Sequence, residues 1–176
     1  MADLFWSDTG LDPKRRYRYK LVLGDIKEYY IKTANMPKAN VSTVEHSYLD
    51  YNFKFPGRVT WDPISVTLVA PAKEGVSDLL DAFLGKAGYV RPVDPVSSGR
   101  QSLGKASFKE AFGNKDPYIQ LMDQGGTAVE KWTLRNAFLT QVDWGGSLDY
   151  TSDEMLELTL EISFDWADVA FGNDAA

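Results

Sequence analysis

MPKANVSTVEHSYLDYNFKFPGRVTWDPISVTLVA, residues 36–70, is the stretch on which the reading of this chain turns. Met36-Pro37 marks a turn, and residues 40–55 read as a long polar-faced hairpin. Tyr51, Phe53 and Phe55 recur at every second position, which is the two-residue period of a strand. Pro56-Gly57 then supplies corner chemistry: proline fixes φ near a turn value, and glycine tolerates φ > 0. Beyond the corner, Trp61, Ile64, Val66, Leu68 and Ala70 make the apolar series of the next strand, with Ser65 and Thr67 between. Nothing here is an evident catalyst. The stretch reads as built to extend a sheet beyond its own subunit, with Ser47, Tyr48, Leu49, Asp50 and Tyr51 as candidate inter-subunit contacts.

Working outward, residues 1–12 read as an N-terminal arm. Its Leu4, Phe5 and Trp6 form either a contact site for a neighbour or a cluster folded back on the core, since exposed apolar groups mark contacts. Residues 15–23, RRYRYKLVL, predict a strand with Tyr17, Tyr19, Leu21 and Leu23 on one face. Arg16, Arg18, Lys20 and Val22 take the other, a solvated or acid-paired face rather than a nucleic-acid patch. Gly24-Asp25 turns it into a second strand over residues 26–34. Residues 75–87 give the clearest helix, with Val76, Leu79, Leu80, Phe83 and Leu84 as its stripe and Ser77 or Asp78 as its cap. Residues 89–104 read as an irregular loop, and 105–112 as a short helical turn. A strand over 118–123, a tight turn at 124–127 and a returning strand over 129–144 follow. The last strand runs over 155–166, and residues 167–176 read as a polar C-terminal tail.

With 176 residues, 44% hydrophobic and 13% aromatic, the chain is long enough for a substantial core and reads as one domain over 1–176. Its 19 basic and 25 acidic residues leave a net charge of −6, which argues against general phosphate-backbone binding. The absence of cysteine excludes disulfides, thiolate catalysis and thiolate-bound zinc. The N-terminus lacks the pattern of a signal peptide, and no apolar run reaches the roughly 18–20 residues of a membrane span. A soluble protein made in a cytoplasm is expected, with no membrane insertion.

Chemistry is sparse. Residues 99–107, GRQSLGKAS, nearly spell a phosphate-cradling loop, but Ala106 occupies the place of the magnesium-binding hydroxyl and no buried strand precedes it. His46 is the single histidine, so no histidine metal cluster can form. Glu157 and Glu161 are four residues apart on one strand, about 13 Å, too far for a glycosidase pair at roughly 5–9.5 Å. No cofactor is expected.

The order of elements, the small-x-Met-Pro turn at Ala34–Pro37, the Trp61–Leu68 strand and the alternating LELTLEISFDW of 156–166 resemble the tail tube proteins of contractile-tailed bacteriophages. The resemblance spans residues 13–168 and extends to the related tubes of type VI secretion systems. It implies a mainly β fold: an antiparallel β-sandwich or split barrel with one α-helix, whose sheets join between subunits. Hexameric rings would stack into a tube, with a sheath outside and a tape-measure protein, then DNA, inside. Baseplate and tail terminator proteins would be further partners, the location would be a virion tail assembled in the host cytoplasm, and no catalysis would be involved. Along the last strand Glu157, Thr159, Glu161, Ser163 and Asp165 share the polar face, a candidate lumen lining. The competing readings are the tube of a secretion or phage-like injection system and, in a different class, an enzymatic or small-molecule-binding β-barrel with its pocket under the 89–104 loop.

Overall fold

Two four-stranded antiparallel sheets and one free two-stranded ribbon organise the chain in a computed structural model that describes residues 13–73, 75–90 and 103–172. Ten strands are placed: β1 (Tyr19–Val22), β2 (Ile31–Ala34), β3 (Lys38–Tyr48), β4 (Tyr51–Asp62), β5 (Ile64–Val69), β6 (Tyr118–Met122), β7 (Ala128–Arg135), β8 (Phe138–Asp143), β9 (Glu157–Ser163) and β10 (Trp166–Phe171). Two helices, α1 (Val76–Lys86) and α2 (Lys105–Ala111), accompany them; the resemblance implied one, and α2 is the helical turn expected over 105–112. The first sheet has the order β1-β6-β7-β10 and the second β2-β5-β9-β8, while β3 and β4 pair only with each other. No closed barrel forms among the described residues. The expected mainly β, sandwich-like class holds.

Strict alternation builds the second sheet. Ile64, Val66 and Leu68 on β5 and Leu158, Leu160 and Ile162 on β9 are all buried, with polar residues between them on the opposite face. The first sheet adds Leu21, Ile119 and Leu134 to the same cluster, and α1 adds Val76, Leu80 and Phe83. From α2 and its end, Phe108 and Phe112 stack against Phe83. Leu79 lies outside the buried stripe, and neither Ser77 nor Asp78 caps α1, whose first turn follows Gly75 without a side-chain acceptor. Gly88, at φ 103, follows the helix end with the left-handed backbone that favours glycine. Truncating the central β9 position, Leu160→Ala, is expected to cost about 2–5 kcal/mol, because a cavity replaces a fully buried side chain. Urea unfolding followed by tryptophan fluorescence measures this, and a loss under 1 kcal/mol would contradict the central placement.

Four sequence expectations are corrected. Pro56-Gly57 is not a corner: β4 runs through it, and the hairpin turns at Leu49-Asp50, with Leu49 at φ 52. The pair register slips between Val41 and Thr43, so Pro56-Gly57-Arg58 is a bulge, and Pro63 is what parts β4 from β5. Trp61 therefore closes β4 instead of opening β5, and tilts against Phe164. The expected strand pair over residues 15–34 is no hairpin, because β1 and β2 enter different sheets through a tight Leu23–Ile26 bridge and a 3-10 turn at Glu28–Tyr30. The returning strand over 129–144 is likewise two strands in two sheets, broken at Asn136, whose φ of 56 turns the chain over. Finally, β9 stops at Ser163, and residues 166–171, largely expected as tail, form β10 along β7.

Candidate assembly surfaces

The β3–β4 ribbon carries eleven and twelve residues in its two strands, and at about 3.3 Å per residue it spans nearly 40 Å. Its register places Val44 opposite Phe55, His46 opposite Phe53 and Tyr48 opposite Tyr51. Side chains alternate along a strand, so these six share one face. The other face holds Glu45 opposite Lys54, ion-paired at 3.3 Å, and Ser47 opposite Asn52, hydrogen-bonded at 2.7 Å. Near the base the bulge exchanges the faces, because an extra residue on β4 reverses its parity. Ser42 locks that bulge: its Oγ accepts from the Arg58 N–H at 2.9 Å and donates to the Arg58 carbonyl at 3.2 Å. A side chain at position 57 would collide with Ser42. At the root, Asn40 and Lys38 hold the Asp62 carboxylate below its usual range, the Asn40 amide being the larger cause.

The aromatic face has no cover among the described residues. Phe53 and Phe55 remain 50% and 55% exposed, and Val44, Tyr48 and Tyr51 are exposed beside them. Two-stranded ribbons are marginal alone, and contiguous apolar surface marks an interaction site. The candidate contacts Ser47, Tyr48, Leu49, Asp50 and Tyr51 thus form the tip of this ribbon. Leu4, Phe5 and Trp6 lie outside the described residues.

The second surface is the polar face of the second sheet. Thr33, Thr67, Thr159 and Asp143 form one row across β2, β5, β9 and β8, and Ser65, Glu161 and Gln141 form the next. Of the candidate lumen residues, Glu157, Thr159, Glu161 and Ser163 stand on β9, with Glu157 ion-paired to Lys32. Asp165 does not share their strand. Its carboxylate accepts from Lys105 Nζ at 2.6 Å and from Asn136 at 2.8 Å, and these bonds, Lys105 first, hold it below its usual range. The same Lys105 belongs to the phosphate-loop look-alike, so its ammonium is engaged at the β9–β10 crossing. Residues 99–102 of that motif lie outside the described residues, as do residues 91–102 of the loop. No group of three metal-capable His, Asp or Glu side chains forms among the described residues.

The third feature is charge placement, which the sequence reading passed over. Lys14, Arg15, Arg16, Arg18 and Lys20 are five bases in seven residues, whereas residues 136–176 carry nine carboxylates and no Lys or Arg. In the fold Arg16 and Lys20 line the cleft at the β1 and β2 edges, but Lys14 reaches Glu130 on β7, and Asp165 and Asp168 are ion-paired to Lys105 and Arg135. β1 and β2 are the free edges at one side of the two sheets, and β10 and β8 are the free edges at the other. The β8–β9 connection exposes Leu148, Tyr150 and Met155 and shares an open cleft with Lys32 of β2. Counting charge along the chain would have revealed this asymmetry.

No family model and no curated protein matches the chain by sequence. In fold it is similar to a chain of the anti-feeding prophage cap structure, the tube-terminating cap, with TM-score 0.63, 21% identity, and 92% of this chain and 93% of that one covered. It is also similar to a chain of the sheath/tube terminator of an extracellular contractile injection system, at TM-score 0.62 and 20% identity, covering 90% and 97%. A chain of the sheath-tube complex of such a system matches at TM-score 0.61 and 18% identity, covering 93% and 95%. These neighbours come from tube and cap assemblies of contractile injection systems, and the chain shares their fold nearly end to end.

Proposed function

We propose that this protein is a structural tube subunit of a contractile tail, assembling into hexameric rings that stack around a lumen. The observation that carries the reading is the uncovered ribbon: a strand pair of this length, with an aromatic face and no cover among the described residues, calls for a second copy. Open sheet edges support it. A head-to-tail contact between the β8/β10 edges of one copy and the β1/β2 edges of the next would pair them, and a contact between unlike patches closes into rings when its rotation allows. The sheets would then run on from copy to copy, with every edge paired. The ribbon is left to reach an adjacent ring.

In this reading the work is mechanical, not catalytic. A sheath surrounds the tube, a tape-measure protein occupies it during assembly, baseplate and terminator proteins bound it, and DNA passes through without specific binding. The location is a virion tail, and residues 1–176 act as one tube domain. A second reading, the tube of a phage-like injection particle, is favoured by the systems from which the neighbours in fold come. Negative-stain microscopy of the purified chain tests the shared core of both readings, with six-fold rings or tubes expected. A strict monomer at high concentration, even with a tail initiator complex present, would overturn it.

A further inference from the structure

An open cleft of about 770 Å³ separates the edges of β1 and β2, within the roughly 300–1,000 Å³ of built binding clefts. Tyr19, Ile31 and Met122 give it an apolar wall, and Arg16, Lys20 and Lys32 give it a basic rim. Lys20 and Lys32 are neutralised by Glu28 and Glu157, but Arg16 has no ion-pair partner among the described residues. The cleft therefore fits a segment that is both apolar and acidic.

The chain carries such a segment. Residues 1–12 contain Leu4, Phe5, Trp6 and Leu11, three aspartates and no base. Where the described chain begins, Lys14 binds Glu130 on β7 and lies 5.7 Å from the Phe171 ring centre on β10. Only after a turn, closed by Arg18 N–H to the Arg15 carbonyl at 3.1 Å, does the chain reach β1. Lys14 is thus held toward β7 and β10, while Arg16, two residues on, lines the chain's own cleft, and twelve extended residues reach up to roughly 40 Å. In the head-to-tail ring proposed above, on which this inference rests, the neighbour's cleft adjoins the β10 edge.

We infer that residues 1–12 of one copy occupy the β1–β2 cleft of the next copy. Leu4, Phe5 and Trp6 cover the apolar wall, and the arm's aspartates meet Arg16. This exchange ties each ring together beyond its sheet edges, and it covers a cleft that is open among the described residues.

The chain has no cysteine, so introduced thiols report alone. Full-length Phe5→Cys and Thr33→Cys proteins, one carrying a size tag, are mixed and mildly oxidised. A mixed disulfide dimer is expected, well above that from Phe5→Cys with Lys109→Cys on α2. Adding Arg16→Glu to the Thr33→Cys partner is expected to lower its yield by about fivefold, the upper range for one exposed ion pair. Equal yields in both mixtures would overturn the inference. So would a diluted Phe5→Cys/Thr33→Cys double variant that closes on itself while no mixed dimer forms, since the arm then fills its own cleft. Microscopy of the same samples separates the two ideas: rings without the mixed dimer sink the arm exchange alone, and the mixed dimer without rings sinks the ring reading alone.

Discussion

Replacing Phe53 and Phe55 together with aspartate yields a chain that folds normally and builds no tubes. Both rings are about half exposed in the single chain, on a ribbon that pairs with no other strand among the described residues, so the fold loses little by the change. Surface substitutions of this kind shift stability by only about 0.5 kcal/mol. In an assembly the exposed half of each ring is buried, which contributes about half of the roughly 1.5–3 kcal/mol that full burial gives. Losing both weakens the contact by roughly 1.5–3 kcal/mol, or about one to two powers of ten in affinity. Two desolvated carboxylates add further cost. Circular dichroism melting checks the fold, while sedimentation and negative-stain microscopy check assembly. Removing residues 47–50 acts at the end of the same face and is expected to shorten or abolish tubes. Tubes of normal length from the Phe53/Phe55 variant would show that the aromatic face is only solvated surface.

The ribbon also shows what the sequence could and could not disclose. The period of Tyr51, Phe53 and Phe55 identified a strand, and the alternations of β5 and β9 named the buried residues of the second sheet. Periodicity reports which face a side chain takes, and that much survives folding. It does not report which sheet a strand joins. Proline and glycine serve turns and bulges alike, so Pro56-Gly57 read as a corner although the ladder passes through it. Proline is tolerated there because β4 has an unpaired side, where no N–H is needed. The turn at Asn136 and the two-residue Phe164-Asp165 bend carry β7 into β8 and β9 into β10 without interrupting the apolar pattern. The aromatic tip was visible as a pattern, but its exposure among the described residues is a property of the tertiary structure. The charge asymmetry was written in the chain and needed only a count by segment.

The remaining large effect concerns the polar face of the second sheet. Glu161 makes no ion pair among the described residues, and the carboxylate of Glu157 is offset by Lys32. With Asp165 bound to Lys105 and Asn136, the face presents rows of hydroxyls and few free charges, a surface on which a polyanion finds little to hold. Changing Glu157 and Glu161 to lysine moves each copy from −6 to −2, since each change adds two charges. Both side chains point away from the core, so the rings still form if this face lines the lumen. Lysines repeated around every ring then meet phosphates within the roughly 8 Å over which charge acts at physiological salt. Transit of DNA through such tubes is expected to slow by on the order of tenfold or more, and to recover as salt rises, because phosphate contacts weaken steeply with ionic strength. The Glu157→Gln/Glu161→Gln pair separates loss of repulsion from gain of attraction and is expected to slow transit far less. Time-resolved DNA release at several salt concentrations provides the measurement. Unchanged release together with lost sheath attachment would place Glu157 and Glu161 on the outer wall, and the lumen would have to be lined by the first sheet instead.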